Sequence, residues 1–111
     1  MKSVNEILGR LKAALLTVTG QCYHYRRPPE PKAGYIIWME DSEAAAIGAD
    51  NKKAEQQIHG TIDYYTLLEF DPVIDDIQEA LNMAEIGFRI NSVQYEDETN
   101  LIHYEWEFWA A

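Results

Sequence analysis

A chain of 111 residues, 47% of them apolar and thirteen aromatic, holds one domain: enough to bury a core, too little to divide in two. Its net charge of −10 excludes a free-standing nucleic-acid binder, because phosphate contacts need Lys and Arg. No apolar run approaches the ~20 residues of a membrane span, no signal-peptide core opens the chain, and Cys22 is alone, so a reducing cytoplasm is the expected compartment.

The charge is split along the chain. Residues 1–53 carry eight Lys/Arg against six Asp/Glu; residues 54–111 carry Arg89 against thirteen acids. Such polarity suits a subunit whose basic part meets the acidic part of a neighbour. It equally suits a solvated acidic face that maintains solubility.

In chain order, Val4, Ile7, Leu8, Leu11, Ala14, Leu15 and Val18 recur at helical spacing, which predicts an amphipathic helix over residues 3–18 with Ser3 as N-cap and Gly20 beyond its end. "QCYHYR" alternates as a short strand. "RPPEPKAG" is barred from regular structure by Pro28, Pro29 and Pro31, and "YIIWME" reads as a buried strand. Residues 41–57 are polar and small without a period, and predict a long loop, with a short strand around residues 44–47 as the alternative.

"IHGTIDYYT" alternates again. It predicts a strand with Ile58, Ile62 and Tyr64 on one face and His59, Thr61, Asp63 and Tyr65 on the other. Gly60 marks a bulge or a close backbone approach. Asp71 is an N-cap with Pro72 at the first helical position. Val73, Ile77, Ala80, Leu81 and Ala84 form the buried stripe, leaving Asp75, Asp76 and Glu79 to water. "IGFRINSVQYE" and "NLIHYEWEFW" flank the turn Asp97-Glu98-Thr99 as a hairpin. The order helix, strands, helix, hairpin predicts an α+β fold: a mostly antiparallel sheet with both helices on one face, as a single domain over residues 1–111.

Chemistry is sparse. Cys22 and His24 form a C-x-H pair, short of a zinc set, and His59 and His103 are candidate neighbours across the sheet. Asp63 with Glu105 or Glu107 is a candidate carboxylate pair. No phosphate loop, nucleophile elbow or H-E-x-x-H occurs, so no catalytic residue, metal or cofactor is expected. The residues marked as candidate assembly contacts are Arg26, Arg27, Lys52 and Lys53 on the basic side, with Asp75 and Asp76 on the acidic side. An acidic DNA-mimicking inhibitor is the alternative.

In this order, the first helix, "CYHYRRPPEPKAGYIIWMED", "HGTIDYYT", "DPVIDDIQEAL" and "FRINSVQYEDETNLIHYEWEF" resemble the tail terminator proteins of long-tailed phages and prophages, across nearly the whole chain. The resemblance implies a non-enzymatic virion protein that closes into a six-fold ring on the tail tube, stops its growth and joins it to the head. Its implied partners are copies of itself, the tube and head-completion proteins, with neither sequence-specific nucleic-acid binding nor membrane contact. Assembly in the host cytoplasm and residence in the virion tail follow from it, and another minor head-tail connector component is the alternative within the same setting.

Overall fold

The computed structural model describes residues 1–44, 48–49, 52–53 and 55–111, with side chains described for residues 1–44 and 55–111. Helix α1 spans Val4–Leu16. Ser3 caps it through a reciprocal box: the Glu6 N–H donates to Ser3 Oγ at 3.0 Å and the Ser3 N–H donates to Glu6 Oε1 at 3.3 Å. The stripe Ile7, Leu11 and Leu15 is fully buried. Helix α2 spans Pro72–Met83, capped by Asp71 and burying Ile77 and Leu81.

The strands are β1 (Cys22–His24), β2 (Tyr35–Glu43), β3 (Gly48–Ala49), β4 (Lys52–Lys53), β5 (Ile58–Thr66), β6 (Gly87–Glu96) and β7 (Leu101–Ala110). Five of them form one sheet in the order β1-β2-β5-β7-β6, and β3 pairs with β4 apart from it. Every pairing in the main sheet is antiparallel except β1 with β2. Parallel neighbours need a connection that returns along the strand. The proline segment provides it, entered through Tyr25 at φ +70° and left through Gly34 at φ +86°.

Both helices pack on one face of the sheet. Ile36, Trp38, Ile62, Tyr64, Trp106 and Phe108 meet Ile7, Leu11, Leu15, Ile77 and Leu81 there in one continuous core. The Trp106 indole N–H donates to Gln78 Oε1 at 3.0 Å, which ties α2 to β7. The α+β architecture expected from the sequence is therefore the one observed.

Local boundaries differ. The strand expected over residues 21–26 shortens to Cys22–His24, because Tyr25 takes a left-handed turn. The expected break after Glu40 does not occur: β2 continues to Glu43 through a register shift between Glu40 and Ser42. Asp41 to Glu43 thus leave the expected loop. The strand considered at residues 44–47 does not include Ala44, and residues 45–47 lie outside the described residues.

Candidate assembly surfaces

The sheet face opposite the helices mixes aromatic and aliphatic residues, Tyr35, Ile37, Met39, Tyr65 and Trp109, with His59, Asp63, His103, Glu105 and Glu107. Across β2, β5, β7 and β6 it presents two clusters. In the first, His59 lies between Asp41, 2.8 Å from Nδ1, and Glu107, 3.1 Å from Nε2, with Arg89 bonded to Glu107 from the far side. An imidazole can donate to two carboxylates only when both nitrogens carry protons. The Asp41 bond accordingly raises the His59 pKa; partial burial opposes it and Glu107 adds to it. Arg89, followed by His59, holds Glu107 below the usual carboxylate range.

This arrangement sets a pH dependence. The folded pKa of His59 exceeds its unfolded value of roughly 6.5. Its stabilisation is therefore complete below that value and disappears as pH rises through the folded pKa. Urea midpoints are expected to fall as pH rises above about 6.5, and His59→Gln is expected to flatten that slope. An unchanged slope in the variant would assign the dependence to another group.

In the second cluster His103 Nε2 is 2.6 Å from Asp63 Oδ1, Glu105 stands opposite Asp63 in register, and Asn91 donates to Glu105 at 2.7 Å. One ligand-type atom from each of Asp63, His103 and Glu105 lies within 4.8 Å of the others. Burial raises the Asp63 pKa, the His103 bond opposes that, and neighbouring Glu105 adds to it. One nitrogen and two oxygen donors suit a divalent transition metal in type, although a closed structural site needs a fourth ligand. Tyr35, Tyr65 and His103 stack in sequence across this face, at 4.8 and 4.2 Å.

The sequence pairing of Asp63 with Glu105 is realised. His59 and His103 are not neighbours: His59 registers with Trp109 and His103 with Tyr65, six residues along the strand. The alternation placed both on one face but gave no register. Cys22 and His24 also separate in role. Burial pushes the Cys22 thiol up to about 11, partly offset by Lys12 and a Trp38 hydrogen bond. His24 stacks on Trp38 at 3.8 Å and bonds Glu40 at 2.7 Å.

Of the residues marked as assembly contacts, Arg26 and Arg27 are exposed on the proline segment, and Asp75 and Asp76 are exposed on α2. Among the described residues, no ion pair joins the two groups. The backbone of Lys52 and Lys53 forms β4; their side chains lie outside the described residues.

Residue-by-residue reading missed one surface. Leu67, Glu69, Val93, Tyr95, Asn100 and Ile102 line an open groove of about 560 Å³. It lies where the β6–β7 hairpin runs past the helices. Along the same sheet face, Trp106 and Phe108 are fully buried while Val93 and Tyr95 are 51% and 60% exposed. The available signal was "LLEF", three large apolar residues in the short link between β5 and α2.

No protein-family model matches the sequence, and no curated protein matches it. The fold is nevertheless found elsewhere. A chain from the virion of a native gene transfer agent particle aligns with a TM-score of 0.56 at 17% identity, over 94% of this chain and 89% of that one. At that identity the likeness concerns the fold.

Proposed function

We propose that this chain is a structural virion protein of a phage-like particle, and specifically a tail terminator. It closes into a six-fold ring on the end of the tail tube and presents a docking face to the head. The observation that carries the reading is the fold shared, over nearly its full length, with a chain of a gene transfer agent virion. The order of elements and the charge polarity support the finer assignment. A ring repeats one heterologous contact, in which a patch on each copy meets a different patch on the next, and a subunit with a basic N-terminal half and an acidic C-terminal half is suited to it. The role is mechanical and involves no bond-making step. Its setting is the host cytoplasm during assembly and the particle afterwards.

Native mass spectrometry across protein concentration, followed by negative-stain imaging, tests it. A closed hexamer with a central hole is expected, either alone or on the ends of added tail tubes. A protein that stays monomeric and is not retained by tubes would overturn the reading. Salt-sensitive capture of a basic nuclease instead would favour the inhibitor.

A further inference from the structure

We infer that residues 26–32 of one copy, Arg-Arg-Pro-Pro-Glu-Pro-Lys, seat in the Leu67–Tyr95 groove of the next copy. The inference rests on the ring reading and supplies its contact. Three observations lead to it.

The first concerns the groove. Leu67, Val93 and Ile102 give it an apolar lining and Tyr95 an aromatic one, with the Tyr95 hydroxyl donating to Asn100 Oδ1 at 2.8 Å. Next to it Leu68 is 61% exposed and Phe70 98%, the latter with φ +54°, a costly conformation for a bulky side chain on a solvent-facing link. Exposed apolar area concentrated at one place marks a contact surface.

The second is chemical complementarity. Aromatic-lined grooves take up proline-rich segments, whose extended geometry is already set and costs little entropy to bind. Pro28 and Pro31 have the P-x-x-P spacing of such ligands, preceded by two arginines. Glu69 lines the groove, the turn beside it carries Asp97 and Glu98, and no Lys or Arg occurs after Arg89. Arg26 and Arg27 are exposed and make no ion pair within 4 Å among the described residues.

The third is placement. The proline segment starts level with Trp38, where the Tyr25 N–H bonds the Trp38 carbonyl, and returns to Gly34, which donates to Tyr65; Thr66 registers with Ile102, so the segment runs towards the end of the sheet that holds the groove. They lie towards opposite lateral edges, since β1 and β2 occupy one side of the order and β7 and β6 the other. A segment running towards the groove's end of the sheet on the opposite edge meets that groove when copies stand side by side, each overlapping the next.

The test has two arms. In the first, a synthetic peptide of residues 26–32 is titrated into isotopically labelled Arg26→Glu/Arg27→Glu protein, with a scrambled peptide as control. Amide shifts are expected at Leu67, Val93, Tyr95 and Ile102, with binding weakened about tenfold by Tyr95→Ala and reduced by salt. Absence of shifts at the groove, or equal binding by Tyr95→Ala, overturns the inference. In the second arm, Arg26→Glu/Arg27→Glu and Glu69→Lys/Glu98→Lys proteins are mixed. Each alone is expected to stay unassembled with unchanged circular dichroism, and the mixture to form mixed contacts. Variants that assemble like the parent overturn this contact while leaving the ring reading intact. A parent that neither assembles nor joins tubes overturns the ring reading, and the peptide arm still decides the groove.

Discussion

Gly60→Ala is expected to destabilise the protein by about 3 kcal/mol, a large effect for the addition of one methyl group. Ordinarily, replacing a strand glycine with alanine is favourable by roughly 0.5–1 kcal/mol, because the unfolded chain loses freedom. Here sterics override that gain. A Cβ on Gly60 would run into the Met39 carbonyl oxygen and come within 2.7 Å of the Phe108 ring. Phe108 is fully buried and stands opposite Gly60 in register, so its ring occupies the space that a side chain would need. The register shift in β2 lies directly across from this point, between Glu40 and Ser42. The urea midpoint of the variant measures the loss. Adding Phe108→Leu should recover only part of it, since the carbonyl clash is with backbone. Full recovery would mean that the aromatic ring alone was responsible.

Asp71→Ala is expected to cost a similar amount, about 3 kcal/mol, through three bonds lost together. The Asp71 carboxylate accepts from the Tyr64 hydroxyl at 2.7 Å, the Thr66 hydroxyl at 2.7 Å and the Val73 N–H at 2.9 Å. It is 6% exposed, so the orphaned hydroxyls would have little water to turn to. Asp71→Asn separates the contributions: its carbonyl can still cap α2, whereas its amide nitrogen cannot accept from the hydroxyls. About half the loss should remain in that variant. A pH signature accompanies it. Burial pushes the Asp71 carboxyl up, but the bonds from Thr66, Tyr64 and Val73 outweigh burial and hold it below the usual range. A depressed carboxylate stabilises the fold above its unfolded pKa, near 3.9, and loses that contribution as pH falls through the folded value. Acid unfolding of Asp71→Asn should therefore begin from a lower plateau and decline less as pH falls below about 4. An acid limb as steep as the parent's would contradict this.

The elements that could be read from sequence are those in which one periodicity ran uninterrupted. The stripe Ile7-Leu11-Leu15 and the alternation Ile58-Gly60-Ile62-Tyr64 each point to a single buried face, and both are found there. Asp71-Pro72 located the start of α2 for the same local reason. Where the outcome depended on register between distant strands, local pattern gave no guide. The pairing of Asp63 with Glu105 was one of two options, the Asp63-His103-Glu105 cluster requires an alignment only the sheet provides, and the separation of His59 from His103 follows from that same alignment. The groove escaped because Leu67, Val93 and Tyr95 look like core residues in sequence. That they are exposed depends on how far the helices reach, a property of packing rather than of any single strand.

The contact of α1 with the last strand has a consequence for the order of events during synthesis. Arg10 Nη2 donates to the Ala111 carbonyl at 2.6 Å, across a sequence separation of 101 residues, and Ile7, Leu11 and Leu15 share their core with Trp106 and Phe108. The helix is translated before the strands, yet its receiving surface is complete only once β7 has been made and paired between β5 and β6. Thirteen residues of isolated helix are marginal in water, so α1 waits as a fluctuating amphipathic segment until β7 has been made. During that interval its apolar stripe is open to chaperones and to other nascent chains. Closure of the core around Ile7, Leu11 and Leu15 then waits on Trp106 and Phe108, which a ribosome stalled before Trp106 would not yet have supplied.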